Sequence, residues 1–278
     1  MLLYDCHCHS EHSHDSNMPI REIAEKCIEL GFSGVSVTNH YDPLTPGLCD
    51  DLIDSERSGT LAAFDEISAL REEYAGRIEL LCGAEIGSPY RNKNNSDTIT
   101  RDSRVDVIIG SVHVLLPIFN DGTVRNYNPY KERNPAEWDR IIESYFTDIY
   151  RNIAFCDIDI VGHVSYIQRY IDKDGAAPFN VKNYIDACVD IMKAAIAHNK
   201  AIEINAKSID LCRKTPFSEF DFFRMYRDLG GELVTIGTDS HESDQFEGAF
   251  KAKELLKAVG YKNACYYKGR QPVFYSLD

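Results

Sequence analysis

The chain has 278 residues, 44% hydrophobic and 27% charged, a composition that fits a globular protein with a large core. Its formal charge of -14, from 30 basic and 44 acidic residues, argues against a nucleic-acid partner, and bound cations would offset part of it. No apolar run spans a bilayer, no signal-peptide pattern opens the chain, and nine scattered cysteines lack disulfide spacing; no membrane partner and a reducing, cytoplasmic location are expected.

Short apolar runs alternate with amphipathic stretches. Residues 2–6 read as a strand and 19–30 as a helix, with Pro19 at its start and Gly31 just past its end. A strand at 34–38, a helix at 61–74 and strands at 78–82 and 105–109 follow. A long loop runs through Asn134, and Pro135 opens a helix to about Ile153. Next come a strand at 158–161, a helix at 181–198, a strand at 201–204, a helix at 217–228, a strand at 233–236 and a helix at 247–259. Segments 261–267 and 272–275 read as final short strands.

That alternation predicts an α/β fold with a mainly parallel sheet and crossover helices. The strands are rich in Val, Ile and Leu, as strands buried on both faces should be. No linker, composition break or solenoid repeat divides the chain, so residues 1–278 read as a single domain. Loops 39–58, 84–104 and 111–134 are long, and long polar loops after strands tend to build sites.

Asp5-Cys-His7-Cys-His9 stands at the end of the first predicted strand. Asn39-His40, Glu85, His113, His163 and Asp239-Ser-His241 follow later ones. His, Asp and Glu are ligands of hard or borderline divalent cations. A barrel would converge these strand ends on one mouth, whereas an open sheet would spread them along an edge. The pattern therefore predicts a closed, TIM-like barrel of seven or eight strands. In a strand, Asp5, His7 and His9 share one face and Cys6 and Cys8 the other. A lone His-X-His is a weak signal; its recurrence with other ligand types at strand ends is what points to a multinuclear metal hydrolase. Asp239 and His241 share a face if their strand persists that far. Glu85 is flanked by Gly83 and Gly87, which leave room for a crowded site, and a carboxylate can bridge two cations. Cys6 and Cys8 are expected to pack outward against a helix. Trp138, Tyr145, Phe146 and Tyr150, at helical spacing, are expected in the core. His12 and His14 read as solvated, and His198 as a helix-closing residue.

The segments Asp5-Cys-His-Cys-His-Ser10, Ser13-His-Asp15, Val37-Thr-Asn-His40, Gly83-Ala-Glu85, Gly110-Ser-Val-His113, Val161-Gly-His163 and Gly237-Thr-Asp-Ser-His241 resemble, in order, motifs of the polymerase-and-histidinol-phosphatase (PHP) superfamily of metal-dependent phosphoesterases. The resemblance is closest to its stand-alone histidinol-phosphatases. It implies a distorted (β/α)7 barrel holding three divalent metal ions, Zn, Fe or Mn. His7, His9, Glu85 and Asp239 would hold the first ion. Glu85 would bridge to a second, completed by His113 and His163. Asp15, His40 and His241 would hold the third. Glu85, Asp239, His241 and Asp15 are then the catalytic candidates. Asn39 departs from the acidic residue the family often has there and removes a negative charge near the third ion.

A phosphate dianion favours arginine. Arg169 and Arg213 occupy places similar to the family's phosphate-binding arginines, and Lys207 could serve instead of Arg213. The resemblance implies hydrolysis of a small phosphomonoester, L-histidinol phosphate to L-histidinol and phosphate, by attack of a metal-bound hydroxide, as a step of histidine biosynthesis. No residue is left as the leaving-group acid, because the obvious acids serve as ligands. Three alternatives remain: a PHP phosphoesterase acting on nucleotides or phosphotyrosine, an amidohydrolase, or a non-catalytic metal-binding domain. Many amidohydrolases bridge their metals with a carboxylated lysine, and that plan would leave Asp15 and His40 without a role. A non-catalytic domain should lack ligands, and none is missing.

Overall fold

A computed structural model describes residues 2–43, 50–113, 135–170, 180–211 and 217–278. Seven strands, β1 (Tyr4–Cys8), β2 (Gly34–Tyr41), β3 (Glu79–Gly87), β4 (Val107–Ser111), β5 (Ile160–Val161), β6 (Ala201–Asn205) and β7 (Val234–Gly237), pair in chain order and all in parallel. The sheet then comes back on itself beyond the end of β7. His9 N donates to Ser240 O at 2.9 Å and Asp239 N to His7 O at 2.7 Å, which joins the last strand's exit to β1. The result is a distorted (β/α)7 barrel, and the strand count settles at seven.

Eight helices are described: α1 (Ile20–Glu29), α2 (Asp50–Glu73), α3 (Lys93–Thr100), α4 (Pro135–Phe155), α5 (Val181–Ala197), α6 (Ala206–Leu211), α7 (Glu219–Asp228) and α8 (Gly248–Val259). The sequence explains their faces and ends. In α1, Ile20, Ile23, Ala24 and Cys27 recur at helical spacing and are buried together. The Asn180 side chain accepts from Lys182 N and Asn183 N to cap α5, and Ser218 accepts from Asp221 N to cap α7. With helices outside and side chains within, the strands are buried along most of their length; Val35, Ile108, Ile109, Ile202 and Ile204 are fully covered. No helix among the described residues is long and apolar enough to cross a membrane.

A hairpin, β8 (Asn263–Lys268) and β9 (Gln271–Ser276), lies across the end of the barrel where the strands begin. Tyr266 stacks on Tyr4 with ring centroids 3.7 Å apart, and Cys265 Sγ reaches Val234 O at 3.4 Å. At its turn, Lys268 pairs with Glu79, Gly269 N donates to Asp106 Oδ1, and Arg270 binds Asp157 and Asp159. Each partner stands at or just before the start of a barrel strand, so the hairpin closes that end and leaves the strand exits open.

Several elements differ from the sequence reading. Helix α2 begins at Asp50 rather than Leu61, and α3 fills part of the expected loop 84–104. Strands β2 and β3 run past the residues expected to follow them, so His40 and Glu85 lie within strands. Tyr150 is 47% exposed and is not a core residue, whereas Trp138, Tyr145 and Phe146 are buried. Cys6 packs against the hairpin rather than a helix, with Sγ near Cys265 O. The described cysteines are all free thiols. Loop 111–134 lies outside the described residues beyond His113.

Candidate metal centre

The barrel delivers the nine predicted donors to one mouth. His7 and His9 come from β1, His40 from β2 and Glu85 from β3. His40 and Glu85 are register partners across β2 and β3, so their side chains leave the sheet on the same face. His113 follows β4, His163 follows β5, and Asp15 lies in the turn after β1. Asp239 and His241 arrive differently from the expectation. Strand β7 stops at Gly237, and Asp239 takes a left-handed backbone with φ 55, so a turn rather than strand alternation aims them inward.

Three groups of donor atoms result. In the first, His7 Nε2 lies 3.1 Å from His9 Nε2 and 3.3 Å from Glu85 Oε2, and His9 Nε2 lies 3.5 Å from Asp239 Oδ1 and 3.6 Å from Glu85 Oε2. Ligands roughly 2.0–2.2 Å from a tetrahedral ion stand about 3.4 Å from one another, so this group has the spacing of a cation cage. In the second, Glu85 Oε1 is 3.0 Å from His113 Nε2 and 2.8 Å from His163 Nε2. In the third, Asp15 Oδ2 is 3.2 Å from His40 Nε2 and 2.9 Å from His241 Nε2. The two oxygens of Glu85 thus face different groups, the geometry of a bridging carboxylate. His40 Nδ1 and Glu85 Oε2 are 3.0 Å apart, yet neither has a hydrogen-bond partner, and buried His9 Nδ1 and His163 Nδ1 also lack one. Orphaned buried polar atoms are uncommon. Glu85 Oε2, unpartnered yet 3.3 Å from His7 Nε2 and 3.6 Å from His9 Nε2, fits a divalent cation among those atoms.

Carboxylates stand behind the imidazoles, and the sequence reading missed them. Glu203 Oε1 accepts from His7 Nδ1 at 2.6 Å, and Asp42 accepts from His113 Nδ1 at 3.0 Å. Each fixes a ring so that Nε2 faces the mouth. The backbone makes room for them. A Cβ on Gly87 would lie 1.8 Å from Asp42 Oδ1, and one on Gly237 would lie 1.9 Å from Glu203 Oε1. Ser111 Oγ donates to Glu85 Oε1 at 2.6 Å. No signal in a single sequence marked Glu203. Asp42, two residues after His40, could have been found as the nearest carboxylate to a predicted ligand.

The electrostatics follow from this crowding. Burial opposes a charged His7, but the Glu203 and Glu85 carboxylates hold its imidazolium well above the usual range. Burial likewise opposes charge on His113 and His40; Asp42 and Glu85 hold His113 well up, and Glu85 and Asp15 push His40 up to about 10. Burial and the neighbouring His40 hold His9 well below its ordinary value. Burial would raise the Glu85 carboxyl, but the imidazoles of His7, His113 and His40 bring it well below the carboxylate range. Cation binding at these rings would release protons.

The mouth is a cleft of about 300 Å³, lined by seven of the donors together with His14, Asp42, Tyr166 and Lys207; His7 and His9 lie fully buried beneath it. Lys207 Nζ lies 2.9 Å from His241 Nδ1 and 3.3 Å from Asp239 Oδ1, which brings the predicted phosphate-binding lysine to the site. Arg213 and the side chain of Arg169 lie outside the described residues; Arg169 occupies the 3₁₀ turn Tyr166–Tyr170 after β5. Asn39 does not face the donors. Its Oδ1 accepts from Ser10 N at 2.7 Å and pins the turn after β1. His14 Nδ1 lies 3.3 Å from Glu56 Oε1 at the rim, whereas His12 bonds Glu66. Two hollows of about 620 Å³ lie at the hairpin end and hold none of the nine donors.

A closed barrel of seven parallel strands that gathers imidazoles and carboxylates at its strand exits has the donor set of a metal-binding barrel. The PHP domain profile matches residues 5–207, and the chain belongs to the PHP domain family. It is 28% identical over 276 residues to the histidinol-phosphatase of Lactococcus lactis subsp. lactis (strain IL1403), covering 97% of this chain and 96% of the relative. It is 26% identical over 266 residues to the histidinol-phosphatase of Bacillus subtilis (strain 168), covering 89% and 97%. The crystal structure of histidinol phosphate phosphatase from Lactococcus lactis, complexed with Zn, L-histidinol and phosphate, shares the fold with a TM-score of 0.78 at 23% identity, over 98% of this chain and 100% of that one.

Proposed function

We propose that the protein is a histidinol-phosphatase, a metal-dependent enzyme that hydrolyses L-histidinol phosphate to L-histidinol and phosphate in cytoplasmic histidine biosynthesis. The observation that carries the hydrolase reading is Glu85, whose two oxygens each face a separate group of imidazoles. Similarity along nearly the whole chain to histidinol-phosphatases supports the substrate. Three divalent cations, Zn, Fe or Mn, are assigned to the three groups: His7, His9, Glu85 and Asp239; Glu85, His113 and His163; and Asp15, His40 and His241.

Cations bound there would neutralise phosphoryl charge and bring a water near neutral pKa. The chain's own residues do the rest. Glu85 holds the first two groups in fixed relation. Asp42 and Glu203 keep His113 and His7 in the ring orientation that presents Nε2. Asp15 and Asp239 bring negative charge to the rim, and Lys207 offsets part of it where a phosphate dianion would enter. Arg169 and Arg213 are assigned to the same dianion. No serine, threonine or cysteine lines the cleft among the described residues, and Asp42 is engaged by His113, so the site favours direct transfer to water.

The test is phosphate release from L-histidinol phosphate, nucleoside monophosphates and phosphotyrosine peptides, before and after chelation, with elemental analysis of the protein. A marked preference for L-histidinol phosphate that disappears on chelation is expected. Equal rates on all three would remove the substrate assignment, and turnover on amides or lactones alone would replace phosphoester chemistry with the amidohydrolase reading.

A further inference from the structure

Glu203 lies on β6, a strand that carries none of the nine predicted donors. Its residue is 3% exposed and its carboxylate occupies the barrel interior. Oε1 accepts from the His7 ring at 2.6 Å, while Oε2 accepts from the backbone N of His163 at 2.7 Å and from Asn205 Nδ2 at 3.4 Å. His7 belongs to the first donor group and His163 to the second. One carboxylate therefore touches a member of each, gripping a ring in one and the backbone in the other. Among the described residues, no hydrogen bond joins Glu203 to Asp15, His40 or His241.

The geometry points to Glu203 as a positioning residue that couples the first and second cation sites and leaves the third independent. It sets the His7 ring with Nε2 toward the cluster, and it fixes the strand exit from which His163 projects. Both contacts need an acceptor, and a carboxylate has one oxygen for each. A glutamine has a single oxygen, so in Glu203→Gln either the His7 Nδ1–H or the His163 N–H would face an amide N–H. The side chain keeps its volume, which separates this loss from cavity formation. The inference rests on the divalent-cation reading and is independent of the substrate.

The experiment uses the full chain, stripped of metal and titrated with Co²⁺ against a competing chelator, with visible absorption reporting ligand geometry. Circular dichroism and thermal unfolding of the stripped proteins report the fold. In Glu203→Gln, two Co²⁺ equivalents should bind about 10–100-fold more weakly with an altered spectrum, and the remaining equivalent should bind as in the wild type. The stripped variant should keep the wild-type circular dichroism and unfold only modestly earlier, because one buried donor loses its acceptor. Wild-type affinity for every equivalent would overturn the inference, as would uniform weakening of all equivalents with a lowered unfolding temperature. Should Glu203→Gln not fold, Glu203→Asp keeps two acceptors on a shorter stem that reaches only one partner. It should weaken the first and second sites unequally, and unchanged affinities there would equally overturn the proposal. Failure of the wild type to take up Co²⁺ would remove the cation reading itself, and this inference with it.

Discussion

At the hairpin end of the barrel, Asp159 meets Arg270, Asp106 meets Arg71 and Glu79 meets Lys268. At the open end, Glu85 meets His7, His40, His113 and His163, and Lys207 is the only lysine or arginine lining the cleft among the described residues. Both ends bury carboxylates. At the first, fixed cations match them, and the network holds strand starts to the hairpin. At the second, carboxylates crowd against titratable rings, so the missing positive charge must come from protons or bound ions. Matched pairs are a structural device; crowded, desolvated, unmatched groups mark the place where chemistry happens.

Breaking the open end should have the largest effect. Glu85→Gln removes the charge shared by two groups, and kcat on a phosphomonoester should fall by about two to three orders of magnitude, with metal content falling too. Steady-state kinetics and elemental analysis read both, and an unchanged rate would contradict the bridge. Breaking the hairpin end should do the opposite. Arg270→Ala leaves Asp159 buried without its guanidinium and should cost about 3 kcal/mol of stability in denaturant unfolding. Metal content at equilibrium should stay as in the wild type; a loss of bound metal in Arg270→Ala would mean that the two ends are not separable.

Smaller effects sharpen the contrast. Lys207→Ala withdraws the cation lining the cleft and should raise KM about tenfold with kcat nearly kept, if the ammonium binds ground-state phosphate. A fall in kcat alone would assign Lys207 to the transition state instead. The pH response should be milder still. After chelation, His40 is held up to about 10, chiefly by Glu85 once burial is overcome, above its unfolded value near 6.5. Its contribution to stability is therefore complete below about pH 6.5 and is lost as pH rises through about 10. Thermal unfolding of the chelated protein across that window should show the decline, and the metal-loaded protein should show less of it, because a cation takes the proton's place.

How much of this could be read from residues alone depends on distance along the chain. Strand β4 announces itself by the apolar run Val107-Ile108-Ile109, and α1 by its spacing. Helix α3, with the sequence Lys93–Thr100, buries only Ser96, Ile99 and Thr100, so no apolar stripe marks it; Asn92 caps it by accepting from Asn95 N. Helix α6 starts directly after β6 with no intervening turn signal. The donors were legible because ligand residue types recur at strand exits. Glu203 was not, because its partners His7 and His163 lie on other strands, and only barrel closure brings β1, β5 and β6 around one carboxylate. Asp239 was legible as a donor but not in its backbone, because the left-handed turn at φ 55 has no glycine to signal it.

The seam between β1 and the exit of β7 sets the order of events during synthesis. His7 and His9 leave the ribosome early, yet their neighbours Asp239 and His241 are more than two hundred residues downstream, and the bonds from Asp239 N and Ser240 O that zip the seam wait for them. The early β–α units can form before residues 239–241 are made but the complete cage cannot, so full metal loading waits for that last turn.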